Sequence, residues 1–121
     1  MKVLVVLGHD NYPKSVMNKK LIEQLAGVKD VTVLNIWEKY AAQDFKLTEK
    51  QIQEDAQAVI AADRIIFQYP LYWYNMPGCL KLWQDQVFIA IAYSDLKDKM
   101  VGKELAAITT TGAPFTEYQK V

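Results

Sequence analysis

Apolar residues along the chain gather in four short runs: KVLVVL (2–7), VTVLNI (31–36), RIIFQY (64–69) and ELAAIT (104–109). They are mostly continuous rather than alternating, which is the pattern of strands covered on both faces. Between them apolar positions recur at helical spacing. Ser15 is placed to cap a helix with Met17, Leu21 and Leu25 on one face and Gly27 at its end. Thr48 and Gln51 form a capping box ahead of the stripe Ile52, Ala56, Val59 and Ile60. A third helix starts near Pro77, where a missing N–H costs nothing, and carries Leu80, Trp83 and Val87. It shows no clear stop before Gly102.

The resulting order, β-α-β-α-β-α-β, calls for right-handed crossovers and a parallel three-layer α/β/α sandwich. A ligand in such a fold sits outside the carboxyl ends of the strands, where the strand order reverses. Those ends are the loops beginning at Gly8, Pro70 and Thr109. After the fourth strand only TTGAPFTEYQKV remains. That leaves the last strand as an uncovered edge unless something pairs with it, and a partner subunit is one solution.

Composition narrows the classes. A chain of 121 residues, 51% hydrophobic, suits one compact domain spanning 1–121. Lys+Arg and Asp+Glu are both 14, so there is no clustered basic charge to suggest nucleic acid or a membrane surface. The single cysteine, Cys79, excludes an internal disulfide, and with the single histidine, His9, it cannot build a structural zinc site. The amino-terminal apolar run is too short for a signal segment, and no stretch approaches a membrane span. The expected setting is cytoplasmic.

The chemistry lies in the three loops. GHDNYPKSVMN opens the first helix, whose amides and dipole suit a phosphate, with Ser15, Asn18 and His9 as side-chain donors. An ordinary capped helix with a surface histidine reads the same residues equally well. GxGxxG and GxxxxGK[ST] are absent, which disfavours a Rossmann dinucleotide site or a nucleoside triphosphatase. In the second loop, Leu71 to Tyr74 lie between Pro70 and Pro77, which should hold a largely extended aromatic platform. A hydrophobic cap over the sheet, or a dimer patch, is the alternative. The third loop, TTTGAPFTEY, offers hydroxyls and a glycine, or simply a strand-ending turn. Trp83 reads as a core anchor, Asp85 as a solvated charge and Cys79 as a small packed residue. Together the loops describe a phosphate cradle, an aromatic platform and a hydroxyl rim, the parts of a flavin mononucleotide site.

On these residues the sequence resembles the flavodoxin-like NAD(P)H:quinone oxidoreductases, including the ancillary flavoproteins of bacterial potassium-efflux systems. The most specific match is QYPLYWYNMPGCLKLWQDQVF, close to that family's Q-x-P-x-x-W-x-x-P-x-x-L-K-x-W-x-D-x-V-F pattern. GHDNYPKSVMN matches its phosphate loop and AAITTTGAP its threonine–glycine loop, and the likeness runs from Lys2 to about Tyr118.

The resemblance implies strand order 2-1-3-4 and FMN as cofactor, with FAD as the alternative. It implies that His9, Ser15, Val16, Met17 and Asn18 hold the phosphate and ribityl chain. Leu71, Tyr72, Trp73 and Tyr74 would contact the isoalloxazine, and Thr109, Thr110, Thr111 and Gly112 its pyrimidine end. NAD(P)H would be the donor and a quinone or similar small aromatic molecule the acceptor, in a homodimer with a membrane transporter as a further partner. Family members continue with a further strand and helices that are missing here. The position of their active-site histidine is absent, and Tyr118 aligns with their tyrosine only through an insertion. TTTG replaces TTGG, and IAIAYSDLKDKM stands where a glycine-rich loop is common. A catalytically silent, shortened domain acting as a binding or regulatory subunit is the alternative reading. A one-electron carrier ranks last, because such carriers have acidic surfaces.

Overall fold

A computed structural model of the chain describes residues 1–112. Four parallel strands form one sheet: β1 (Val3–Leu7), β2 (Val31–Asn35), β3 (Arg64–Pro70) and β4 (Glu104–Thr110). Their spatial order is β2-β1-β3-β4, as the resemblance implied. The register aligns the strand ends: Leu7 pairs with Asn35 and Gln68, and Gln68 with Ile108. Loops leaving β1, β3 and β4 therefore start side by side, and this alignment makes a composite site possible.

Four helices join the strands: α1 (Met17–Glu23), α2 (Ile36–Tyr40), α3 (Glu49–Ala61) and α4 (Gly78–Ala92). The capping box of Thr48 and Gln51 starts α3. Pro77 is the cap residue of α4, which ends at Ala92 well before Gly102. Two features depart from the sequence reading. One is α2, a short helix that starts at Ile36, the last residue of the second apolar run; the Asn35 side chain caps it by accepting from the Glu38 amide at 3.2 Å. The other is the face of α1, where Met17 is solvent-exposed, Leu21 and Leu25 are half-buried and Asn18 is buried. Val16 rather than Ser15 is the cap residue.

The core lies between the sheet and α3–α4. Leu4, Val6, Ile65 and Phe67 form the floor, and Val59, Leu80, Trp83, Val87 and Ile91 are buried with them. Phe67, Trp83 and Phe88 meet edge to face at centroid separations of 6.0–6.5 Å, the arrangement ring quadrupoles favour.

Within this apolar layer sits one carboxylate, Asp55, only 2% exposed. Its Oδ2 accepts from the Tyr40 hydroxyl at 2.6 Å and from the Trp83 indole N–H at 2.9 Å, and its Oδ1 from Lys39 Nζ at 3.0 Å. Three donors, one of them cationic, offset the desolvation that would otherwise exclude a buried charge. Burial, reinforced by the bond to Asp55, holds the Tyr40 hydroxyl far above its ordinary pKa. The hub joins α2, α3 and α4 through one side chain.

Removing this carboxylate leaves a buried phenol and a buried indole N–H without acceptors. Asp55→Ala should therefore cost about 3 kcal/mol of stability and Trp83→Phe about 1 kcal/mol. Urea unfolding followed by circular dichroism checks this; equal midpoints for Asp55→Ala and wild type would refute the hub.

Candidate functional site

The first loop leaves β1 at Gly8, whose amide donates to the Gln68 carbonyl at 2.9 Å. A Cβ there would lie 2.5 Å from Leu80 Cβ, so glycine is what lets α4 pack against the start of the loop. His9 follows, and its Nδ1 accepts from the Asn11 amide at 2.9 Å. That bond assigns the ring proton to Nε2. Burial pulls the His9 pKa below its usual value, partly countered by the Asp10 carboxylate. The loop then makes a 3-10 turn over Tyr12–Lys14, with Pro13 preset for it, and reaches α1 through an extended Ser15.

At the start of α1 the Lys19 amide is satisfied by Ser15 Oγ (3.3 Å) and the Lys20 amide by the Val16 carbonyl (3.2 Å). The amides of Met17 and Asn18 have no acceptor earlier in the helix. The Asn18 side chain is committed elsewhere. Its Nδ2 donates to Thr110 Oγ1 at 2.8 Å, and Gln68 Nε2 donates to its Oδ1 and to its backbone carbonyl, both at 3.4 Å. Asn18 therefore stitches α1 to β3 and β4.

The second loop is not the extended platform that its flanking prolines suggested. The backbones of Tyr72 and Asn75 exchange hydrogen bonds of 2.8 and 2.9 Å, with Trp73 at φ 47° and Tyr74 at φ 63° between them. Two left-handed central residues make a type I′ turn, a role favoured by Asn and Gly. In bulky aromatics this conformation stores about 1–2 kcal/mol per residue. The turn leaves Trp73 94% exposed. Tyr72 is anchored instead, its hydroxyl donating to Asp10 Oδ1 at 2.8 Å. Burial first, then that bond, pushes the Tyr72 pKa up to about 12. Cys79 behind it is raised to about 11, again chiefly by burial, so it stays a thiol at neutral pH.

The three loops enclose one cleft of about 280 Å³. Of the expected residues, His9, Ser15, Val16, Met17, Asn18, Leu71, Tyr72, Thr110, Thr111 and Gly112 line it; Trp73, Tyr74 and Thr109 do not. Tyr118 lies outside the described residues. Two contributors escaped the sequence reading. Lys14 is a basic residue lining the cleft, and the signal was its position two residues before the helix cap. Asp10 joins the first loop to the second, a link with no local sequence signature. A larger cleft of about 310 Å³ lies at the opposite end of the sheet, beside Lys2 and Asp30, away from these loops. No helix among the described residues is long and apolar enough to cross a membrane.

The family model described as flavodoxin-like fold matches residues 1–121. The chain is 39% identical over 120 residues to YdeQ, an uncharacterized NAD(P)H oxidoreductase of Bacillus subtilis, covering 98% of this chain and 58% of that protein. It is 35% identical to general stress protein 14 of the same organism, covering 98% and 66%. Among solved structures, general stress protein 14 of Treponema denticola in complex with FMN superposes with a TM-score of 0.79 at 27% identity, covering 98% and 66%. The chain thus spans about three-fifths to two-thirds of the length of these relatives.

The depressed His9 pKa has a consequence for stability. The folded state favours the neutral ring, so the unfolded chain binds the proton more readily. This contribution is complete above about pH 6.5 and is lost as pH falls through the folded value. Replacing His9 with Gln should flatten the decline in melting temperature between about pH 7 and pH 5, leaving only the part owed to carboxylates. Identical profiles for variant and wild type would rule this out.

Proposed function

The chain belongs to the flavodoxin-like fold family, and from that premise we propose that it binds FMN in the three-loop cleft as an NAD(P)H-dependent oxidoreductase acting on a quinone or similar small aromatic acceptor. The observation that carries the reading is convergence: the start of a helix, a lysine and several hydroxyls line one cleft together with Leu71 and Tyr72. The FMN-bound structure of general stress protein 14, aligned over nearly all of this chain, supports the choice of cofactor.

The residues fit the group. Met17 and Asn18 present amides without helical acceptors, and Lys14 adds the opposite charge that a phosphate requires. Ser15, Thr110 and Thr111 bring hydroxyl-bearing side chains to the lining of the cleft. At about 280 Å³ the cleft is near the lower limit for a small-molecule site, which suits a cofactor whose ring lies partly in the open. Trp73, held in solvent next to Tyr72, offers an indole face for such a ring. A bound flavin would supply two-electron transfer from the nicotinamide to the acceptor. The protein's part is to bind, orient and shield it. Tyr72, raised well above neutral pH, stays protonated and brings no charge to the cleft it lines.

The amounts of apolar and aromatic surface exposed at Trp73 also suit a binding subunit without turnover, and the same experiment separates the two readings. Titrating the purified 121-residue chain into FMN should quench flavin fluorescence and yield a yellow complex. Lys14→Ala should weaken binding about tenfold and Trp73→Ala roughly threefold to tenfold. NADH or NADPH oxidation with menadione at catalytic enzyme levels supports the oxidoreductase. Binding without turnover favours the subunit, and unquenched FMN rejects both the cofactor and the role.

A further inference from the structure

We propose that Asp10 is a positioning residue: through the Tyr72 hydroxyl it holds the turn Tyr72–Asn75 in its left-handed form, and so sets the part of the cleft lining that Leu71 and Tyr72 supply. Strand register brings the two loops within reach of each other. Leu7 pairs with Gln68 and the Gly8 amide donates to the Gln68 carbonyl, so the chain leaves β1 and β3 side by side. The Tyr72 hydroxyl then donates to Asp10 Oδ1 at 2.8 Å. His9 Nδ1 lies 3.5 Å from the same oxygen, but in the neutral ring it is the acceptor of the Asn11 amide and has no proton to give. Among the described residues, Tyr72 is thus the donor that this carboxylate holds.

The turn needs such a bond. Trp73 at φ 47° and Tyr74 at φ 63° both occupy the left-handed region, where bulky aromatics are strained. Against that strain the turn has the two backbone bonds between Tyr72 and Asn75, and the Met76 amide donates to Asn75 Oδ1 at 2.8 Å. Neutral bonds close to water gain little over the bonds to water that they replace, so by themselves they leave the turn finely balanced. A bond to a carboxylate is roughly twice as strong as a neutral one, and this one acts on the residue that opens the turn. With Leu71 tied to the Thr110 carbonyl just before it, the entry to the turn is fixed from two sides.

Exposure separates this role from a contribution to the core. The Asp10 side chain is 60% exposed and Tyr72 is 39% exposed, so losing their bond should leave the global unfolding midpoint nearly unchanged. What it should change is local. Tyr72 lines the cleft, and Asp10 follows His9, which lines it too. That this lining meets a flavin rests on the function proposed above; that Asp10 holds the turn does not.

Hydrogen exchange at the Tyr72 and Asn75 amides, followed by NMR on the flavin-free chain, reads the turn directly. Asp10→Ala and Tyr72→Phe should each speed that exchange about tenfold, and the double variant no further, since the two side chains act through one bond. Asp10→Asn keeps an acceptor without the charge and should exchange only about threefold faster than wild type. Quenching of flavin fluorescence then reads the lining. Asp10→Ala should weaken FMN and riboflavin, which has the ring without the phosphate, by the same factor of about tenfold, whereas Lys14→Ala should weaken FMN alone. Wild-type exchange rates in Asp10→Ala overturn the proposal, and so does an Asp10→Ala variant that loses affinity for FMN but not for riboflavin. If neither flavin binds the wild type, it is the cofactor reading that fails, and the exchange rates still decide whether Asp10 holds the turn.

Discussion

Asn18 is the point at which the cleft is held together. Its side chain is only 2% exposed, yet it carries four hydrogen-bonding positions that must be met away from water. Thr110 Oγ1 takes one from above β4, and Gln68, itself buried, donates from the end of β3. Two further bonds join the loops, Tyr72 to Asp10 between the first and second and Leu71 to Thr110 at the end of β4, but neither of them is buried as Asn18 is. Losing this amide would strand two partners at the sheet end, a penalty of about 1–3 kcal/mol each. It would also release the rim that lines the cleft. That Asn18 sits in the first turn of α1 explains why the helix turns a polar residue inward and leaves Met17 in solvent.

Asp55 does comparable work on the other face of the sheet. A wholly apolar core of this size would pack α2, α3 and α4 through non-directional contacts. The carboxylate accepts from Tyr40, Trp83 and Lys39, and each bond carries a direction. Repacking with a hydrophobic residue of similar volume would not necessarily lose stability, since buried ion pairs recover little beyond their desolvation. What the hub supplies is orientation: it fixes the Trp83 ring that in turn meets Phe67 and Phe88 beneath the sheet.

Most of the architecture was legible because parallel strands must be apolar on both faces and therefore appear as unbroken runs. Strand order came from the family resemblance, since pattern alone leaves it open. The capping box at Thr48 was legible because it is local, three residues from donor to acceptor. The misses share a different cause. Asp55, Asp10 and the stitching role of Asn18, a residue the sequence did place at the site, each depend on partners more than a dozen residues away, so no short window reveals them. The five residues of α2 are too few for helical periodicity to register. In the aromatic loop, proline restricts its own φ and the residue before it, and Tyr72 to Asn75 lie beyond both effects. Hydrogen bonds across that tetrad decided its shape, against the preference of Trp73 and Tyr74 for extended backbone.

The strained turn and β4 belong to one mechanical unit. The Leu71 amide binds the Thr110 carbonyl, so the last residue of β4 is also the anchor of the aromatic loop. Strain in Trp73 and Tyr74 persists only if the surrounding contacts over-determine the turn. Two of those contacts are visible: Tyr72 is pinned to Asp10 on one side, and Leu71 to Thr110 on the other. The second pin is only as firm as β4, which among the described residues is bonded to β3 alone. Ordering that strand would stiffen Thr110, and with it both the Asn18 stitch and the turn that presents Trp73. Strand and cleft are thus coupled through a single residue.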